Sequence, residues 1–335
     1  MKSGEEFDHY YRQELEQKVR DLENKRLAIS KRFSYKRYGR SLLWLLALDI
    51  TIGICVSNKV IPEGFIGIIP GSFVYALFAP LFILYKRNVS FEPINAEYKQ
   101  SIIPRIVSFV DPQLIYKPKE GITEREFNTS DLFARPTSSF KSEDLVEGVV
   151  DGYAVRLSDV EARKRSSSNG KSAKSSNSTS STIMTGLYAV IKMNRTVPSK
   201  VMIRQSNVIN HAVNQFAEQL LGSTMVEAIR ENRHEKVVKT GQADFDKDFE
   251  ILCADEAVAL QVVHPMFRQM LLAIKAEVGS FTFVNVALFD DQLHVAYNGT
   301  NLFEGDAHQS FIEKNISKKY FFFLTSVVGI AKVLG

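Results

Sequence analysis

The residue types that could carry chemistry in this sequence are histidines and carboxylates, and they are scattered. Folding could bring His264 and His294 together with Asp255 and Glu256, and an imidazole beside a carboxylate can act as a general acid or base. The competing interpretation is that all four are surface or hydrogen-bonded core residues. Asp49 lies inside an apolar run, where a carboxylate either relays a proton or ion or hydrogen-bonds to a neighbouring helix.

Fragments that imitate ligand-binding motifs lack essential residues. The alternating aspartates that begin at Asp244 resemble a calcium loop, but Phe249 stands where that loop needs glycine. Cys55 and Cys253 are too few for a thiolate zinc site or a disulfide framework. We therefore predict no catalytic residue, no cofactor and no bound metal. The functional candidates that remain are Asp49, His264, His294 and Asp255.

Two apolar runs separated by a short polar break predict a transmembrane hairpin over residues 41–87. The second run, at about 64–85, holds no charge, and about 22 helical residues are long enough to cross a hydrocarbon core of roughly 30 Å. The first run, at about 41–58, contains Asp49, which costs about 3 kcal/mol on insertion scales. Its many leucines and isoleucines offset that cost, so both runs are predicted to span.

Basic residues flank the outer ends of the hairpin, whereas the intervening turn offers only Lys59, balanced by Glu63. The flanking cations are Lys31, Arg32, Lys36, Arg37, Arg40, Lys86 and Arg87. Because cytoplasmic flanks carry the excess of Lys and Arg, both termini are predicted to be cytoplasmic.

Composition limits the remaining possibilities. The 335 residues have a formal net charge of +4, with 45% hydrophobic and 24% charged residues. This modest positive balance comes partly from the basic flanks and indicates no nucleic-acid partner. Residues 88–335 are numerous enough for a sizeable hydrophobic core, and we expect them to form a cytoplasmic domain.

Residues 1–40 are predicted to form an amphipathic helix that ends in the basic cluster beside the membrane. Apolar residues recur at helical spacing from Phe7 to Phe33, but Arg26 interrupts the stripe. One interpretation is a coiled coil that pairs protomers, and the other is a helix packed on its own cytoplasmic domain. The basic and aromatic residues that follow are expected to contact anionic lipid headgroups.

The pattern after the hairpin favours an α+β domain with a mainly antiparallel sheet and packed helices. Residues 148–157 and 183–193 are predicted strands, and the Ser-rich residues 163–182 between them are predicted to be a disordered loop. Residues 281–289 and 293–297 are predicted to pair as a hairpin across two aspartates.

Helix signals follow in the same domain. Asp255 is a candidate cap for a short helix, and Pro265 is well placed to open the next one. The apolar residues 320–335 fit three interpretations: a packed core helix, an interfacial helix or a third span.

Two passages carry a resemblance to a known family. The first passage comprises Gly121, Ile122, Phe127, Ser130, Leu132, Phe133, Glu143, Asp144, Val146, Glu147 and Gly148. The second comprises Phe249, Glu250, Ile251, Asp255, Ala257, Val258, Pro265, Phe281, Leu302, Phe303 and Glu304. Together they resemble a bacterial family catalogued as the domain of unknown function number thirty-one thirty-seven. The chain departs from the family pattern at Leu260 and Gln261, where an Arg-aromatic pair is commoner, and in its Ser-rich insert.

The resemblance implies architecture and topology, because the family has no assigned activity. It implies two N-terminal spans, a bacterial inner-membrane location and an association with LemA-like membrane proteins. Together with the residue patterns, it leads us to expect a membrane-anchored cytoplasmic binding or scaffold module. Its expected partners are the lipid bilayer and a protein partner or a second copy of the chain. The alternatives are a membrane-tethered enzyme built around His264 and His294 and a transport accessory that uses Asp49.

Overall fold

The computed structural model describes residues 2–33, 35–58, 71–133, 137–166, 179–206, 236–279, 282–299, 310–312 and 315–335. The helices are α1 Gly4–Tyr10, α2 Glu16–Arg32, α3 Tyr35–Ser57, α4 Gly71–Ser101, α5 Ile103–Val110, α6 Glu124–Thr129, α7 Ala243–Asp248, α8 Glu256–Val262, α9 Pro265–Val278 and α10 Ile316–Leu334, with a π-helical turn at Tyr11–Leu15. The strands are β1 Ile115–Lys117, β2 Ser139–Val150, β3 Tyr153–Ser166, β4 Thr179–Gln205, β5 Lys236–Val238, β6 Phe249–Cys253 and β7 Phe283–Asn298.

The chain divides into two compact units. The sheet unit comprises Met1–Asp8, Ile103–Glu304 and Ser317–Gly335. The helical unit comprises His9–Ile102 and Gly305–Ile316.

Seven strands form one antiparallel sheet in the order β1-β2-β3-β4-β6-β5, with β7 also paired to β4. The 27-residue β4 is long enough to have two successive neighbours along one edge. Its first part pairs with β3, and Val201–Gln205 pair with β6. β7 pairs with β4 along the opposite edge. The sheet and its helices confirm the predicted α+β class.

A two-residue turn joins β2 to β3. Val150 and Tyr153 pair across it, while Asp151 and Gly152 have positive φ angles of 51° and 86°. Positive φ at both central positions is the requirement of a type I′ turn, for which Asp-Gly is a favoured sequence. The predicted strand over residues 148–157 is therefore wrong at its centre, because the chain reverses there.

β7 is one strand of 16 residues, so the predicted hairpin between residues 281–289 and 293–297 is wrong. Both parts pair with β4 instead of with each other. Asp290 adopts a φ of 49° opposite Val197, where the register shifts. Since Asp tolerates this left-handed conformation, it accommodates an irregularity in the ladder without turning the chain.

The predicted disordered loop over residues 163–182 is wrong at both ends. β3 continues to Ser166 and β4 begins at Thr179, and these two residues pair with each other. Polar residues can extend a ladder that apolar residues have started, because the hydrogen bonds come from the backbone. Residues 167–178 lie outside the described residues.

One face of the sheet packs around Phe127 of α6. Its ring centroid lies 5.3 Å from those of Phe133 and Phe140 and 5.0 Å from that of Tyr188 on β4. The other buried members of this cluster are Ile122, Leu132, Leu145, Val160, Ala162, Met184, Met202, Ala287 and Ala296.

The opposite face packs against α10. Tyr297 of β7 meets the ring of Phe323 edge-on at 4.7 Å, and its hydroxyl lies 2.6 Å from Ser326 Oγ. Phe321 stacks on Phe7 of α1 with ring centroids 4.3 Å apart. Of the three interpretations of the C-terminal segment, the structure therefore supports the core helix. Because both faces of β7 are covered, the strand is apolar in continuous runs and does not alternate.

In the helical unit, α2 packs its apolar face against α4 of the same chain. Lys25 Nζ of α2 also lies 2.6 Å from Glu97 Oε2 of α4. The buried apolar side chains of these helices are Leu15, Val19, Leu22, Phe91, Ile94 and Tyr98. This packing favours the interpretation that the N-terminal helix packs on its own chain, with α4 as its neighbour.

Arg26, which interrupts the apolar stripe of α2, belongs to a shielded ion pair. Its Nη2 lies 2.7 Å from Glu23 Oε1, and both side chains are almost buried. Glu23 also accepts a hydrogen bond of 3.0 Å from the backbone N–H of Phe311. A charged residue at this position is therefore compatible with the packed helix, because its charge is neutralised.

The predicted spans fall on α3 and α4. α3 contains the first predicted span, and α4 contains the second span from residue 71 onward; residues 59–70 lie outside the described residues. α4 continues past Tyr85 to Ser101 and includes Pro80 and Pro93. Over the residues described above, no single helix is long and apolar enough to cross a membrane. α8 and α9 meet the criterion only as a pair, bent by 65°.

Replacing Phe323 by Ala should lower the melting temperature of the full chain in detergent by about 10 °C. Removing a buried Phe costs about 3–5 kcal/mol, and each kcal/mol shifts the melting of a domain of this size by about 2–4 °C. The control is Phe322→Ala on the half-buried side of α10, which should shift melting much less. Equal shifts for the two variants would contradict the packing of α10.

Candidate functional site

Asp255 acts as the cap of α8. Its carboxylate accepts hydrogen bonds from the backbone N–H groups of Ala257 at 2.9 Å and Val258 at 3.2 Å. Glu256 follows in the first turn, where a negative charge is favourable beside the helix N-terminus. The cap predicted from the sequence is confirmed, and its carboxylate is occupied by the backbone.

His264 joins the start of α9 to the end of α10. Its Nδ1 accepts a hydrogen bond from the backbone N–H of Phe267 at 3.4 Å, and Nε2 lies 3.2 Å from the carbonyl oxygen of Val333. The proton therefore sits on Nε2, which donates to that carbonyl. With both ring nitrogens bonded to the backbone, His264 is a positioning residue within the fold.

His294 is fully buried on β7. Its Nδ1 lies 3.0 Å from the hydroxyl of Tyr188, its Nε2 lies 3.2 Å from Gln292 Oε1, and its ring stacks on Phe289 at 5.0 Å. Burial first, and the charge of Lys200 second, lower the pKa of His294 from 6.5 to about 4. The ring is therefore neutral at pH 7, with Nε2–H donating to Gln292 and Nδ1 accepting from Tyr188.

The sheet separates the two histidines. His294 and Tyr297 are three residues apart in a stretch of unbroken register, so their side chains point to opposite faces. Tyr297 faces α10, the helix to which His264 is bonded. The sheet therefore keeps the two histidines of the predicted constellation with Asp255 and Glu256 on opposite faces. In the described part of the chain, no three His, Cys, Asp or Glu side chains are grouped so that they could hold a metal ion.

A charged cluster that the sequence did not indicate surrounds Lys200. Its Nζ lies 2.5 Å from Asp131 Oδ2 and 3.1 Å from the carbonyl oxygen of Thr129, and 4.6 Å above the ring of Phe289. These residues come from distant parts of the chain, so no local spacing could have revealed them. The cluster ties the end of α6 to the sheet.

Asp49 lies on α3 and is half-buried, between the exposed side chains of Leu48 and Ile50. The carboxylate has a polar or electrostatic contact of its own. It belongs to the helical unit, whereas the two histidines belong to the sheet unit.

The most distinctive surface of the chain is the apolar face of α3 and α4. Large apolar side chains are exposed on these two helices, whereas most large apolar side chains of the sheet unit are buried. The exposed side chains are Leu43, Trp44, Leu46, Leu48, Ile50, Ile52 and Ile54 on α3, and Phe78, Leu81, Phe82, Leu84, Tyr85 and Val89 on α4. Soluble monomers rarely expose large apolar patches, so this surface is a candidate interaction site.

Comparison with known proteins confirms the resemblance to the family described as "Protein of unknown function (DUF3137)", whose model matches residues 182–335. The match includes the second resembling passage and begins inside β4, after the first. No curated protein matches the chain. Among solved structures, the crystal structure of the mycobacterial trehalose monomycolate transport factor A, TtfA, is similar with a TM-score of 0.34 and 7% identity, covering 71% of this chain and 97% of that chain. A likeness this low carries no functional argument.

The buried His294 should make stability depend on pH. The folded-state pKa of about 4 lies below the usual 6.5, so the unfolded chain binds more protons between these values and stability is lost as the pH falls through them. Denaturant unfolding followed by circular dichroism should show that the unsubstituted chain loses about 2 kcal/mol more than His294→Asn between pH 7 and pH 5.

The control for this experiment is His9→Asn, which makes the same substitution at an exposed imidazole. An equal pH dependence of the unsubstituted chain and His294→Asn would show that His294 is accessible to protons in the folded state. That result would reopen an acid–base role for it.

Proposed function

We propose that this protein is a non-catalytic binding or scaffold module anchored in the bacterial inner membrane. In this proposal, α3 and α4 form a transmembrane hairpin, both termini are cytoplasmic, and the sheet unit contacts a protein partner or a second copy of the chain. The observation that carries the proposal is the exposed apolar face of α3 and α4. Lipid is the partner that we propose for this apolar helix surface.

The energetics support lipid over water around these helices. Burying a Leu, Ile or Phe side chain is worth about 1.5–3 kcal/mol, and both helices carry several exposed side chains of this size. Because the side chains are only partly exposed, the total is comparable with the net stability of an ordinary domain, about 5–15 kcal/mol, and water is a poor environment for this surface.

Aromatic residues lie beside the cations that flank the two predicted spans, which supports a membrane interface at those positions. Trp44 is 78% exposed and follows Arg40 by about one turn, and Tyr85 is 63% exposed and directly precedes Lys86. Trp and Tyr are enriched where a span leaves the hydrocarbon, and Lys and Arg are enriched on the cytoplasmic side. Both basic ends are therefore assigned to the cytoplasmic interface.

Binding is preferred over catalysis because the candidate reactive groups serve the fold. Asp255 caps a helix, His264 bonds to two backbone groups, and His294 is buried and neutral at pH 7. For the protein contact we propose the surface beside β5, where Val237 and Leu260 are exposed on two neighbouring elements. Exposed apolar side chains at a sheet edge suit a protein partner.

A second candidate function is a transport accessory, and the half-buried Asp49 favours it. A carboxylate among apolar residues of a span is costly and is retained most often for a polar contact or a proton path. A polar contact does not require the Asp49 carboxyl group to ionise, whereas a proton path does.

Topology can be tested by cysteine labelling in a chain whose native cysteines are replaced by Ala. Asn58→Cys, at the end of α3, should react with a membrane-impermeant thiol reagent in intact cells. The control Asn194→Cys, exposed on β4, should react only after lysis. Labelling of Asn194→Cys in intact cells would overturn the proposed orientation.

Substitutions of Asp49 separate the anchor from the transport accessory. If the carboxylate only satisfies a polar contact, Asp49→Asn and Asp49→Leu should insert and complement a deletion strain normally, because a hydrogen bond between membrane helices is worth only about 0.6 kcal/mol. The control is Thr51→Ala, whose hydroxyl donates within α3 to the Ala47 carbonyl at 2.8 Å. Normal insertion with lost complementation in both Asp49 variants, and not in the control, would favour transport.

A further inference from the structure

We propose that basic side chains at the end of α2, near the start of α3 and beside Tyr85 within α4 bind the phosphate groups of anionic phospholipids, so that the hairpin gathers an anionic lipid shell. This inference rests on the proposed membrane function and names its lipid partner. The side chains, which we call the headgroup cluster, are Lys31, Arg32, Arg40, Lys86 and Arg87. All five belong to the helical unit.

Three cations elsewhere in the helical unit are paired with carboxylates. Arg20 lies 2.6 Å from Glu16, Lys25 lies 2.6 Å from Glu97, and the Arg26 ion pair with Glu23 was described above. Within the described ranges, none of the five headgroup-cluster cations has a carboxylate at ion-pair distance. The headgroup cluster therefore keeps an uncompensated positive charge.

Three cations of the headgroup cluster lie over aromatic rings. Arg32, Lys86 and Arg87 lie over the rings of neighbouring phenylalanines at 5.7, 5.6 and 5.5 Å. A cation over a ring keeps its charge, so it can still attract an anion. The Arg87 Nε–H is also shielded from water without a hydrogen-bond acceptor in the chain, and a phosphate oxygen could accept from it.

The position of the cluster identifies the source of the phosphate. At 1.5 Å per residue, Arg40 lies about 6 Å along α3 from Trp44, and Lys86 and Arg87 lie within about 3 Å of Tyr85 along α4. Trp and Tyr sit at headgroup level, so Arg40, Lys86 and Arg87 are placed at the depth of lipid phosphates. Juxtamembrane cations attract anionic lipids by about fivefold for each charge near the surface.

The test uses Trp44, the only tryptophan of the chain, as the reporter. The full chain is reconstituted in mixed vesicles of phosphatidylcholine and phosphatidylglycerol, in which one lipid or the other carries bromine on its acyl chains. Bromine quenches tryptophan on contact. Brominated phosphatidylglycerol should quench Trp44 as though enriched about threefold or more over its bulk fraction, and added salt should reduce the enrichment.

Two variants assign the effect to the cluster. Lys86→Gln with Arg87→Gln should reduce the enrichment, and Gln at all five positions should abolish it. The control is Lys141→Gln with Lys192→Gln, which removes two exposed cations from strands and should change nothing. If the variant with Gln at all five positions fails to fold, the effect of salt on the enrichment around the unsubstituted chain tests the proposal instead.

The outcomes separate this inference from the proposed function. Equal quenching by both brominated lipids would overturn anionic selectivity and leave the hairpin standing. Enrichment that survives the fivefold substitution would overturn the assignment to these residues. No quenching by either lipid would show that Trp44 is not in the bilayer, and the proposed membrane function would then fail as well.

Discussion

Apolar side chains must leave water, and the two units of this chain meet that requirement differently. The sheet unit covers both faces of its long strands, with α6 on one face and α10 on the other, so β7 is buried in two runs on either side of Asp290. The helical unit buries only the faces where its helices meet and leaves the outer surfaces of α3 and α4 apolar. We base the proposed membrane location on that difference, because lipid would cover the apolar surfaces that the protein itself leaves exposed.

The pattern of apolar and polar residues predicted the fold class correctly but misplaced two turns. An antiparallel α+β domain was predictable because alternating and β-branched runs favour strands. The turns were not placed correctly, since Asp151-Gly152 reverses the chain where a strand was predicted and Asp290 lies inside a strand where a turn was predicted. An Asp-Gly pair is the stronger hairpin signal, and Asp290 could be placed only by knowing that β4 is long enough to pair with both parts of β7.

Candidate sites were harder to predict than elements because their residues act through distant partners. The sequence identified Asp255 as a cap from its position before a helix, which is a local property. It could not show that His264 would reach the end of α10 or that His294 would lie beneath Tyr188, because both depend on how the sheet is layered. Arg26, which weakened the apolar stripe of α2, is explained only by Glu23 and Phe311.

The central claim is that α3 and α4 anchor the chain in lipid. Alkaline carbonate extraction of membranes that contain the full chain tests it most directly, because this treatment releases proteins held at the surface and leaves spanning proteins in the pellet. A chain lacking residues 41–87 serves as the matched control and should be released. The account predicts that the full chain stays in the pellet and dissolves only in detergent, and its release by carbonate alone would contradict the account.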